Sequence, residues 1–361
     1  MAEYIGEGPF DHPDPGGGIP TPEGAGMGAV GGSVAVVPTG GIPVDLGTPD
    51  QPSKKRRLGP AAILAIAWII FVVGGALLAP YLPIPSTTET VDIPVGADGL
   101  PYFGPSFSHP FGLDKIGKDV FSLTIYGGRV SLLVGFVSVT VGMLVGGSMG
   151  IIAGYLRGKT DAVLSILFDT FLAIPAIILA LALVAAFDPS DPSKVDPTRR
   201  MWVLAFALGV VAVPVLGRIA RASTLAVADR EFVTAAKAMG AKPLRIMIRE
   251  VLPNVLPSML VIGLLGVGVA IVAEGGLALL GASVSSPATS WGAIIATNRN
   301  AINLDQPWVI FGPSSFIFLT VLTLNYLGDV IRRRFDVRDS VFVAAEGCAV
   351  AAVSLSSSPG C

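Results

Sequence analysis

Two carboxylates stand where a carboxylate is expensive. Asp169 and Glu274 each interrupt a long apolar run, the first within Ala162 to Phe187 and the second between Val251 to Ala273 and Leu277 to Leu280. A charged side chain at mid-bilayer costs about 2.5 to 3.5 kcal/mol on insertion scales, so such groups face protein or water rather than lipid. The chemistry they could supply is binding of a proton or coupling ion, as an ion-driven secondary transporter requires. The other reading places Asp169, eight residues into its run, and Glu274, late in its own, near the two interfaces, bonded to backbone groups or to Ser and Thr. Asn325, within Gln306 to Gly328, is a further polar residue in an apolar run.

Motifs for other chemistry match in form only. Ala153 to Thr160 differs from a phosphate-binding loop by Ala153 in place of the first Gly, but that loop must join a strand to a helix, and this segment joins two apolar runs. Gly146-Gly147-Ser148-Met149-Gly150 fits a nucleophile elbow, yet it lies mid-run with no His nearby in sequence. Only His12 and His109 occur, and both Cys, Cys348 and Cys361, fall in the last fourteen residues. No catalytic residue, metal site or cofactor is expected.

Spacing suggests two kinds of packing surface. Gly142, Gly146, Gly150 and Gly154 recur at every fourth position, which sets them on one side of a helix and lets another backbone come close. In Asp229 to Gly240, Phe232, Ala235, Ala236 and Met239 follow at i, i+3, i+4 and i+7, one apolar stripe of a short helix. Gly240 is a natural stop with Pro243 beyond it. The stripe is built largely from small residues, so a partner surface can approach closely. A second basic amphipathic stretch, Leu244 to Leu252, leads through Pro253 into the next apolar run. This reads as a docking helix on the face of a helical bundle.

The elements that position these residues follow from composition. The chain has 361 residues, 52% of them apolar and 14% charged. An ordinary soluble domain is roughly 25% charged. The shortfall disfavours a soluble enzyme. A net charge of −2 without a basic stripe gives no footprint for nucleic acid. A bilayer core takes ~20 apolar residues in a helix. Six runs supply them: Leu58 to Thr88 (helical as far as Pro80), Val130 to Leu156, Ala162 to Phe187, Met201 to Gly217, Val251 to Leu280 and Gln306 to Gly328. Gly281 to Asn298 is read as a polar loop rather than a seventh span. Pro175 and Pro214 are expected to kink their helices.

The fold class is therefore an all-α integral membrane bundle of six helices. Its domains are a Pro/Gly-rich acidic head (1–57) ending in a basic cluster and read as disordered, a six-helix transmembrane domain (58–338), and a flexible tail (339–361). With the N-terminus inside, 17 basic residues fall on the inner side and 7 on the outer. That sorting places both termini in the cytoplasm, 80–128 as an external loop and 219–253 as a cytoplasmic coupling loop.

The inner loop resembles the permease signature of ABC importers, in which an Ala-Ala pair is followed by Gly four residues later and then by Leu-Pro. Here these are Ala235, Ala236, Gly240, Leu252 and Pro253, with Thr234 in place of the usual leading Glu, Glu231 three residues earlier, and Glu250 in place of the usual Ile. His109 to Ser122 with Ile125 to Gly135, Asp169 with Leu172 to Pro175, Glu274 with Leu277 to Gly281, Ser290 to Gly292 and Phe318 to Asp329 resemble the second permease subunit of the dipeptide/oligopeptide/nickel importers. The resemblance covers roughly residues 58 to 338 and implies a type I importer fold in a bacterial plasma membrane. It implies pairing with a homologous permease as a heterodimer, cytoplasmic ABC ATPases seated on the coupling helix, and an external solute-binding protein. Glu231, Phe232, Ala235, Ala236, Met239, Gly240, Leu252 and Pro253 would form the ATPase-coupling site. ATP would then supply the energy, which favours structural roles for Asp169 and Glu274.

Overall fold

A computed structural model describes residues 59–94, 102–187, 196–284, 286–300 and 306–356, with side chains through residue 333. The acidic head lies outside the described residues. Among those described, the chain is helical, with no strand longer than a single bridge between Leu113 and Asp119.

Five helices are long and apolar enough to cross a bilayer: α1 (Pro60–Leu78), which passes into a 3-10 turn at Ala79–Tyr81, α2 (Val120–Leu156), α5 (Pro197–Ala228), α7 (Pro243–Leu279) and α9 (Trp308–Ser356). A sixth crossing results if the pair α3 (Gly158–Leu172) and α4 (Ala176–Phe187), bent by 86°, is counted as one broken span. Pro175 sits at that bend, where it removes a backbone donor and pushes the preceding residue out of helical geometry. Pro214, by contrast, lies within α5 without ending it. Two short helices complete the order, α6 (Glu231–Ala238) between α5 and α7, and α8 (Trp291–Thr297) between α7 and α9.

Several helices outrun the uncharged stretches that announce them. At about 1.5 Å per residue, α2 and α7 are ~55 Å long and α5 ~48 Å, well beyond a ~30 Å hydrocarbon core. The helix at α2 begins at Val120, so 120–128 are helical rather than part of a loop. Asp119 caps it, accepting from the Ser122 amide at 3.1 Å and the Ser122 hydroxyl at 2.6 Å, as a short acidic side chain does at a helix start. Arg129 bounds the apolar run in sequence without ending the helix. Likewise α8 turns part of the polar 281–298 segment into a helix, capped by the Ser290 hydroxyl accepting from the Ala293 amide at 3.0 Å. The backbone of α9 continues through Ser356. The Ala- and Val-rich stretch after Arg338 contains no Pro to stop it before Pro359.

Three packed regions hold the bundle. Near α8, the fully buried Trp291 donates its indole N–H to the Thr124 carbonyl at 2.8 Å and meets the Phe316 ring of α9. In the middle, Val130, Val134, Leu204, Ala207 and Leu277 join α2, α5 and α7. Below α6, Ile151, Ala220, Val233, Ile246, Val255 and Met259 close the other end.

The glycine row of α2 meets α5. A Cβ on Gly142 would lie 2.8 Å from that of Ala212, and one on Gly154 would lie 2.8 Å from that of Thr224. At Gly146 and Gly150 it would overlap the carbonyls of Val213 and Gly217. The two backbones therefore lie close together over about three turns, a contact that only hydrogen side chains permit.

Candidate functional site

The short helix α6 leaves α5 through Asp229 and Arg230 and is stopped by its own sequence. Gly240 takes φ +76°, its amide donates to the Lys237 carbonyl at 3.0 Å, and the Ala241 amide reaches the Ala236 carbonyl at 3.1 Å. These are the two bonds of a Schellman cap. Ala241 packs beside Ala236, which supplies the apolar contact such caps use. The same device ends α7, where Gly281 takes φ +84° and the Gly281 and Ala282 amides donate to Ala278 and Leu277.

What the sequence presents as one apolar stripe is two faces. Val233 and Ala236 turn inward onto Ile246, Val251 and Val255, while Phe232, Ala235 and Met239 are exposed, Met239 to 81%. Helical periodicity explains the split. Val233 and Ala236 are three residues apart and share the core side, and the ridge Phe232, Ala235, Met239 lies off that line. Ala236 thus belongs to the contact with the bundle, and Val233, absent from the stripe read in the sequence, is its anchor. Glu231 occupies the first turn, exposed, where its charge complements the helix dipole. Gly240 is exposed, and a Cβ there would meet nothing of this chain within 4 Å. Lys237 lies 5.3 Å over the Tyr155 ring. This cation–π contact ties α6 to the end of α2.

Leu252 and Pro253 lie inside α7, Leu252 packed against the cluster under α6 and Pro253 exposed. A π-turn over Met247–Val251 precedes them. The Asn254 side chain donates to the Glu250 carbonyl at 2.6 Å, satisfying an acceptor where the wider turn breaks the regular ladder.

The two carboxylates of the apolar runs occupy different settings. Glu274 is 1% exposed and is ringed by serines: Ser290 donates at 2.6 Å, Ser283 at 3.1 Å and Ser131 more distantly at 3.5 Å. Ser131 also accepts from the Trp291 amide at 3.1 Å. The cluster thus pins the 281–290 loop and α8 against α2. Gly292 makes this possible, since a Cβ there would come within 2.5 Å of the Gly275 Cα. Asp169 instead pairs with Arg218 of α5, and both side chains are more than half exposed on this chain. Asn325 lines a shallow groove between α7 and α9 with Val272, Phe318 and Val321.

The reading of Glu274 as bonded to Ser or Thr holds, and the structure identifies the partners as serines 9, 16 and 143 residues away along the chain. Sorting basic residues by side of the membrane does not reveal the helical register that pairs Asp169 with Arg218. Among the described residues no group of three or more His, Cys, Asp or Glu could hold a metal.

Residues 146–339 match the family model described as a binding-protein-dependent transport system inner membrane component. The dipeptide transport system permease protein of Alkalihalophilus pseudofirmus is 36% identical over 283 residues, 78% of this chain and 86% of that one. Its counterpart in Bacillus subtilis is 30% identical over 78% of this chain and 82% of its own. The glutathione transport system permease protein of Pectobacterium atrosepticum is 34% identical over 64% and 74%. With more than half of its length inside the family model and a relative at 36% identity over most of both chains, this chain belongs to the inner-membrane components of binding-protein-dependent transport systems, the permease subunits of ABC importers.

Proposed function

We propose that this chain pairs with a homologous permease to form the pathway of an ATP-driven importer of di- and oligopeptides, with both termini and α6 on the cytoplasmic side of a bacterial plasma membrane. Cytoplasmic ATPases seat on the ridge Phe232, Ala235, Met239 and Gly240, and an external solute-binding protein delivers the peptide. The observation that carries this reading is α6 itself: a helix locked to its bundle at Val233 and Ala236 that leaves Phe232 and Met239 exposed on its outer side beside the small Ala235 and Gly240. Peptides are the substrate class because the relative at 36% identity and its Bacillus subtilis counterpart at 30% are both named as dipeptide permeases. Ion coupling draws no support from the carboxylates, since Glu274 is occupied by serines and Asp169 by Arg218.

The test is uptake of a labelled dipeptide by vesicles holding the assembled complex. ATP should drive it and an uncoupler should leave it intact; the reverse pattern would favour an ion-coupled carrier. Ala235→Trp and Gly240→Val should release the ATPase during purification while the permease stays in the membrane. Retention of the ATPase with full uptake would remove α6 as its seat. Reporters near Val95 and Lys237 should read outside and inside. Competition by glutathione or a nickel chelate, without competition by dipeptides, would move the substrate class.

A further inference from the structure

The limb α3 buries one side chain only, Phe168, whose ring fills the space above Gly217 of α5. The rest of its hold on α5 is charge. Asp161 accepts from Arg221 through both carboxylate oxygens, one of them 2.7 Å from Nη2, and Asp169 accepts from Arg218. Just before α3, Arg157 donates to both oxygens of Asp229 at 2.7 Å, and Asp229 is the residue that ends α5 and leads into α6. On the α3 side the charged residues are Arg157, in the turn that precedes the helix, and Asp161 and Asp169, eight residues apart within it. Their partners descend α5 in matching order, 229, 221 and 218. Arg157 holds a left-handed φ of 53°. A non-glycine residue keeps that conformation only where its surroundings demand it. Gly158, at φ +60°, follows Arg157 in the same tight turn between α2 and α3.

We infer that these three pairs form a gear that fixes α3 to the α6-bearing end of α5, with Asp161 and Arg221 as the central positioning residues, so that a displacement of α6 is delivered to the bend at residues 173–175. The inference rests on the transport reading above and adds residues that reading does not use. The central pair is the most enclosed of the three, its side chains 19% exposed at Asp161 and 33% at Arg221. Bidentate geometry gives it direction as well as strength. The outer pairs are more open to solvent and contribute register rather than strength. An apolar seam would hold α3 at any small offset. Paired charges at fixed steps hold it at one.

The test uses the assembled complex, with peptide uptake expressed per ATP hydrolysed. Asp161→Arg and Arg221→Asp should each lower that ratio about tenfold, and the double swap should recover it to within about twofold, as expected for residues that act as a pair. Full uptake in either single variant, or a swap no better than the singles, would overturn the gear. A second measurement does not depend on how reversed charges fold. In a background carrying Cys348→Ser and Cys361→Ser, Asp161→Cys and Arg221→Cys are joined by a short bifunctional thiol reagent. Transport should survive the link, because the two helices move together; arrest by the link would mean that they must part, and the gear would be wrong. Absence of ATP-driven uptake in the unaltered complex would refute the transport reading instead, so the two failures are distinguishable.

Discussion

Helix α5 is gripped on two sides by different physics. Toward α2 the contact is dry and backbone-close, set by Gly142, Gly146, Gly150 and Gly154. Toward α3 it is one aromatic ring and three ion pairs, two of them substantially exposed. The first seam is held by shape, which tolerates no added atom and ignores salt. The second is held by charge, which tolerates added atoms but depends on register, dielectric and ionic strength.

The difference is open to attack, beginning with the seam of shape. Gly146→Leu drives a side chain into the Val213 carbonyl. It should cost about 3 kcal/mol or more, since backbone cannot repack as a side chain can. The measurement is the amount of folded protein in the membrane and its melting in detergent. Gly276→Leu, at a position with nothing within 4 Å of a Cβ, is the control and should be near neutral. Next comes the centre of the charged seam. Asp161→Ala leaves the half-enclosed Arg221 without its carboxylate. That loss should cost about 1 to 2 kcal/mol, less than for a fully buried pair. A cycle with Arg221→Ala should assign most of it to the pair.

Smaller still is Arg157→Ala, which breaks an exposed pair. It should shift stability by about 0.5 kcal/mol. Raising salt from low to molar concentration should act in the same direction, speeding amide exchange in α3 while leaving that of the α2 glycine row unchanged. Equal salt sensitivity of the two would erase the distinction between them.

The sequence made one of these seams legible and hid the other. A repeat of glycines at every fourth position is a local signal, and it marks a close-packed face without naming the partner, which the structure places on α5. The charged seam has no local signal. Asp161 and Arg221 are 60 residues apart, and Asp169 and Arg218 are 49 apart. Only the position of the turn at Arg157 brings their registers together. The crossings were legible as runs without charge, but their ends were not. Helices α2 and α5 continue past Arg129 and Arg218, because a charged residue interrupts hydropathy without interrupting backbone bonding. In the docking helix, period alone could not separate the face that grips the bundle from the face that is offered outward. Val233 and Ala236 show their burial only once the chain is folded over α7.

Gly240 lets handedness be separated from room. Its backbone is left-handed, and a methyl at its Cα would touch nothing of this chain. An L-alanine there is opposed by chirality. A D-alanine, placed by semisynthesis, would find the turn ready-made and would even restrict the unfolded chain. If the D-residue restores what the L-residue loses, the position asks only for a mirror-image bend. If both fail alike, the space beyond Gly240 is already spoken for by another subunit, and the absence of a side chain is itself the binding determinant.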